Sequence, residues 1–122
     1  HEDKKIIIRL SSDSSAILIG KNGKNLDALQ LIANVYAGKL QMNDRIILDC
    51  ENYRIRREEA LVRLAYTTAD QVVMKKTSIL LQPMNPYERR LIHSTLADIH
   101  GVDTKSEGDG LYKQVRVLYK GL

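Results

Sequence analysis

Over residues 53–76 the chain carries neither glycine nor proline, and Leu61, Leu64, Ala65, Thr68 and Val72 recur with a 3.6-residue period. That run reads as one long helix. A chain of 122 residues then has room for one ordinary domain or two very small ones. Straight after the helix the grammar changes, because both prolines, Pro83 and Pro86, fall within four residues. The boundary is therefore expected near Thr77, with a first domain over residues 1–77 and a second over 78–122.

Before the long helix the expected order is strand, helix, loop, helix, strand. Residues 4–10 (KKIIIRL) are rich in β-branched side chains and read as a strand. Ser11, Ser12, Asp13, Ser14 and Ser15 offer oxygens to the free N–H groups of a short helix over residues 16–19, which Gly20 halts. A second helix starts near Gly23, with Leu26, Leu29, Ile32, Ala33 and Tyr36 at helical spacing and Gly38 as its stop. Residues 45–50 (RIILDC) form the next strand. In the second domain, residues 78–82 read as a short strand, and Asn85 caps a helix whose first turn takes Pro86. This helix is expected to reach Ile99, before Gly101. Residues 105–110 (KSEGDG) read as a turn, and residues 111–118 as a strand with Leu111, Val115 and Val117 on one face. The fold class is α+β, with no internal repeat and no low-complexity segment.

Composition narrows the partners. Apolar residues make up 43% and aromatics 5%, with no Trp and no Phe, so any core is aliphatic. The net charge of +4 divides into +3 for residues 1–77 and +1 for the remainder. With a pI near 9.2, this mild basic excess is compatible with nucleic acid but does not establish it. Cys50 stands alone and asks for no oxidising compartment. No apolar run approaches the roughly 18 residues of a membrane helix, and nothing resembles a signal peptide. Because the chain begins at His1 rather than Met, it is expected to be excised from a longer protein.

The stretch AILIGKNGKNLDALQ (residues 16–30) carries the most specific chemistry. Glycines let the backbone turn sharply and let a sugar-phosphate chain approach without a Cβ in the way. The start of the following helix presents free N–H groups and a partial positive charge to a phosphate. Lys21 and Lys24 add full charges, and Ile17, Ile19 and Leu26 are candidates for a floor on which bases rest. A nucleotide P-loop needs Gly-x4-Gly-Lys-Ser/Thr, and Asn25 follows Lys24 here. The dinucleotide pattern Gly-x-Gly-x-x-Gly is also absent. A plain helix–helix turn, using Asn22 and the glycines for geometry alone, is the remaining competitor. The combination resembles a KH domain, whose GxxG loop clamps about four nucleotides of a single strand. That resemblance covers residues 4–76 and implies Gly20, Lys21, Asn22, Gly23 and Lys24 as nucleic-acid contacts. Two departures accompany it. A bacterial-type KH fold has a further helix and strand before the first strand here, expected upstream of His1, and the long helix is an addition to the minimal fold.

Arg54, Arg56 and Arg57 crowd the start of the long helix, where the macrodipole disfavours cations. Glu51, Glu58 and Glu59 are near enough to offset them. Two readings stay open: a solvated face with intrahelical pairs, or a second phosphate contact.

In NPYERRLIHSTLADIH, Arg89 and His93 sit about 40° apart around one helix and border its apolar stripe of Ile92, Thr95, Leu96 and Ile99. With three histidines and one cysteine in the chain, none at metal-ligand spacing, His93 is a poor metal ligand. No Ser, Cys or carboxylate completes a catalytic set around it. A surface Arg-x3-His pair is the ordinary alternative. The run PMNPYERRLIH, with Asp98 and TKSEG at residues 104–108, resembles the R-three-H domain, associated with single-stranded nucleic acid. Residues 80–119 match it in order and length, except that Lys113 stands where relatives often carry Arg. The resemblance implies Arg89 and His93 as a second contact with the strand.

The KH-like domain followed directly by an R-three-H domain, with LDALQ after the loop, resembles the bacterial Jag family (SpoIIIJ-associated; KhpB/EloR). That resemblance implies a cytoplasmic, non-enzymatic protein that binds single-stranded RNA as a chaperone or post-transcriptional regulator. It also implies links to cell elongation, cell-wall biogenesis and envelope homeostasis, a small companion KH protein of the KhpA kind, and usually another N-terminal domain. No cofactor, metal or membrane insertion is implied, and a homodimer stays open. The competing function is a scaffold that pairs with another KH protein, with RNA binding incidental.

Overall fold

A computed structural model describes residues 4–121. The fold is α+β, and the chain divides into two compact units, His1–Arg56 and Arg57–Leu122.

In the first unit, strand β1 (Lys5–Leu10) runs parallel to β2 (Arg45–Cys50), with Lys5 opposite Arg45 and Leu10 opposite Cys50. A parallel pair needs a crossover, supplied here by α1 (Ser15–Ile19), a 3-10 turn (Lys21–Gly23) and α2 (Lys24–Lys39). Leu26, Ala37, Ile46, Leu48 and Cys50 form the buried centre. The backbone groups of β2 that face away from β1 are met by side chains. Asn34 donates to Ile46 O at 2.8 Å and accepts from Ile46 N at 2.9 Å, and Gln30 accepts from Leu48 N at 3.0 Å. Polar positions on α2 thus satisfy a strand edge that would otherwise invite pairing. Gly38 does not stop α2. It is helical, a Cβ there would meet nothing within 4 Å, and the chain reverses only at Gln41, with φ 59°.

The long helix α3 (Tyr53–Lys75) forms as expected. The boundary between compact units, however, falls inside its first turn rather than near Thr77. The physical reason is its apolar stripe: Leu61, Ala65, Ala69 and Val72 are buried in one cluster with Ile92, Leu96, Val115 and Val117. Strand β3 (Ile79–Leu80) pairs antiparallel with β5 (Gln114–Tyr119), which also pairs with β4 (Val102–Glu107). Two expectations need correction here. Residues 105–107 lie in a strand rather than a turn, held by pairing from Val102↔Tyr119 to Glu107↔Gln114. Leu111 lies before β5 and is 58% exposed, whereas Val115 and Val117 are fully buried.

Helix α4 (Pro86–Leu96) has the expected start, with Asn85 as cap and Pro86 at its first position. The Asn85 side chain accepts from Glu88 N at 2.8 Å, and the Glu88 carboxylate accepts in return from Asn85 N at 3.2 Å. This reciprocal box satisfies two donors a helix start leaves open. The second Glu88 oxygen accepts from Arg57 Nε at 2.8 Å, so a 6%-exposed carboxylate is bonded on both sides.

Candidate nucleic-acid interface

The loop between α1 and α2 owes its shape to three left-handed residues. Gly20 has φ 74°, Asn22 φ 56° and Gly23 φ 79°. Asn tolerates this region better than most residues with a Cβ. The turn closes through Gly20 N donating to Ala16 O at 2.9 Å and Gly23 N donating to Gly20 O at 3.3 Å.

Space, as well as φ, requires glycine at both ends. A Cβ on Gly20 would lie 2.6 Å from Asn25 Cγ, and one on Gly23 would lie 2.8 Å from Tyr53 Cε2. The Asn25 side chain folds back over the loop and donates from Nδ2 to Ile17 O at 2.8 Å. The protein's own side chains therefore fill the room that the sequence reading leaves for an approaching strand. What the loop offers outward is charge, since Lys21 and Lys24 are both exposed. Asn22 is half-buried between them. The expected apolar floor is also revised: Ile19 and Leu26 are buried in the core, and Ile17 alone of the three is exposed, at 71%.

The three arginines of α3 separate into different roles. Arg54 is consumed by structure. Its Nε donates to Leu48 O at 2.7 Å, Nη1 to Asp27 Oδ1 at 3.1 Å and Nη2 to Gln30 Oε1 at 3.0 Å. Arg57 pairs with the buried Glu88 in the second unit. Arg56 is exposed and forms no ion pair among the described residues.

In the second unit Arg89 and His93 share one ridge of α4, and both turn their polar heads toward their own unit. Arg89 donates from Nε to Met84 O at 3.2 Å and from Nη2 to Leu111 O at 3.1 Å. This ties the helix start to the chain before β5. His93 Nδ1 lies 2.6 Å from Thr104 Oγ1 and Nε2 lies 3.0 Å from Ser106 Oγ. Alternation along β4 puts those two hydroxyls on one face, and the imidazole bridges them. Burial, and then the Arg89 guanidinium, hold His93 below the usual histidine value against an opposing pull from Asp103. The neutral ring is thus favoured. Lys113, on the far side of the turn, accepts from Met84 N through its carbonyl at 2.9 Å.

Sequence reasoning missed Asn25 and Tyr53 as loop supports, and Thr104 and Ser106 as partners of His93. For the first pair a signal existed, because glycines that must be glycine need something to crowd them. Ser106 was hidden by reading residues 105–110 as a turn, and Thr104 by the lack of any strand reading before it.

The model of the R-three-H domain family matches residues 59–119. The chain belongs to the R-three-H family. The R-three-H match takes in most of α3, in keeping with the shared core of the second compact unit. A second family model, the KhpA/KhpB KH domain, matches residues 1–49. KH followed by R-three-H is the Jag-type order to which the sequence pointed. Among curated relatives, the RNA-binding protein KhpB of Clostridium symbiosum is 41% identical over 119 residues, covering 97% of this chain and 54% of the relative. That of Bacillus subtilis is 39% identical over 126 residues, covering 98% and 59%. That of Streptococcus pneumoniae serotype 2 is 30% identical over 107 residues, covering 87% and 33%. This R-three-H chain thus spans little more than half the length of the first two relatives.

Proposed function

We propose that the chain is a non-enzymatic module that binds single-stranded RNA, gripping its backbone at residues 20–24 and making a second contact through the ridge of Arg89 and His93. The observation that carries the reading is the loop itself: a left-handed turn, packed from within by Asn25 and Tyr53, with Lys21 and Lys24 exposed at the start of a helix. Relatives named as RNA-binding proteins support the choice of RNA. In this reading the protein is a cytoplasmic chaperone or post-transcriptional regulator tied to bacterial cell elongation and envelope homeostasis. Among the described residues no helix is long and apolar enough to cross a membrane. Crosslinking the intact protein in cells and sequencing the attached nucleic acid tests the reading. Enriched RNA supports it, and recovery of proteins without RNA contradicts it.

A specific observation also favours the scaffold reading. Leu31, Ile32, Val35 and Tyr36 on the outer side of α2 are each more than half exposed. An apolar stripe on a helix face of this kind suits a second KH domain, either a small KhpA-like companion or another copy of this chain. The same crosslinking experiment reports it, through the proteins recovered.

A further inference from the structure

The Tyr53 ring connects the glycine loop to a cation that the loop's own sequence does not contain. Its edge packs where a Cβ of Gly23 would lie, 2.8 Å from Cε2 and 3.3 Å from the phenolic oxygen. The Arg56 guanidinium stands over the same ring, 5.8 Å from its centre. One nitrogen of the Arg56 guanidinium is held, with Nε donating to the Glu51 carbonyl oxygen at 3.1 Å. Arg56 is exposed and has no carboxylate partner among the described residues. An arginine whose Nε is already bonded and whose guanidinium rests within cation–π reach of an aromatic ring loses less freedom on meeting a phosphate than a free one. Arg54 and Arg57 are both occupied by carboxylates of their own units.

We propose that Arg56 is a further phosphate contact of the glycine loop, with Tyr53 as the residue that positions both Gly23 and the guanidinium. The phosphodiester backbone leaving the Lys21–Gly23 turn passes the Tyr53 edge and meets Arg56. This rests on the reading of the loop as an RNA clamp.

The test is fluorescence anisotropy of the full chain with a labelled single-stranded oligouridylate across a series of salt concentrations. Four variants are compared with wild type: Arg56→Gln, Arg56→Lys, Arg63→Gln, and the double change Lys21→Asp with Asn22→Asp. Arg63 is an exposed arginine farther along α3 and controls for the loss of one charge. Arg56→Gln should weaken binding about threefold to tenfold and make the log–log salt slope shallower by about 0.7, the share of one phosphate contact. Arg56→Lys should keep the slope, and Arg63→Gln should keep both slope and affinity. Equal effects of Arg56→Gln and Arg63→Gln, with the loop variant still defective, would overturn the proposal alone. An undiminished loop variant would overturn the clamp reading and this proposal with it.

Discussion

The Cε2 atom of Tyr53 lies 2.8 Å from the point a Cβ on Gly23 would occupy. Gly23 is therefore held to glycine by an aromatic side chain thirty positions later in the chain, in addition to its left-handed backbone. Gly38 is the opposite case, helical and with nothing within 4 Å of an added Cβ. Gly23→Ala should cost about 2 kcal/mol through strain and crowding. Gly38→Ala should stabilise by roughly 0.5–1 kcal/mol, because alanine loses less backbone entropy in a helix. Urea unfolding of the two variants should shift the midpoint in opposite directions.

Glu88 joins two features at once: the capping box of α4, in which its carboxylate accepts from Asn85 N, and the ion pair with Arg57. Glu88→Ala keeps the Asn85 cap on the backbone N–H at position 88 but removes the reciprocal bond to Asn85 N and leaves the Arg57 guanidinium without its carboxylate. A loss of about 3 kcal/mol is expected. Lys105→Ala breaks a 3.7 Å pair whose lysine is 59% exposed and should cost under about 1 kcal/mol. Thermal unfolding of both variants checks the contrast.

His93 is expected to titrate below the ordinary histidine value, first because it is partly buried and second because Arg89 is near. The sign follows from the neutral form being favoured in the folded state. Stability from this group is present above the unfolded value of about 6.5 and falls as pH drops from there toward the lower folded value. Proton NMR of the ring should report the lowered midpoint, and Arg89→Gln should move it upward. A midpoint at or above the ordinary value would remove burial and Arg89 as controlling influences.

Much of this was legible in the sequence where the signal is local. The period of Leu61, Ala65 and Val72 announced α3, and Asn85-Pro86 announced the start of α4. Residues 102–107 (VDTKSE) gave no strand signal, because Asp, Lys, Ser and Glu disfavour isolated strands. Their order comes from pairing with β5 and from Arg116 Nε donating to both Glu107 oxygens, at 3.0 and 2.8 Å. The fates of Arg54 and Arg57 were equally hidden, since Asp27 and Glu88 lie far away in the chain. Within the candidate site, the glycines and lysines were readable from spacing. The packing of Asn25 and Tyr53 on them was not, because it depends on tertiary contacts.

Residues 20–24 are proposed to grip the backbone of single-stranded RNA. Replacing Lys21 and Asn22 together by Asp removes one positive charge and adds two negative ones beside the turn. Asp tolerates the left-handed conformation that Asn22 adopts, and both glycines keep their packing. An anisotropy titration of this double variant with single-stranded RNA should show affinity weaker by at least about tenfold, roughly 1.4 kcal/mol, at an unchanged unfolding temperature. Affinity equal to that of the unaltered chain would rule out residues 20–24 as the grip on RNA.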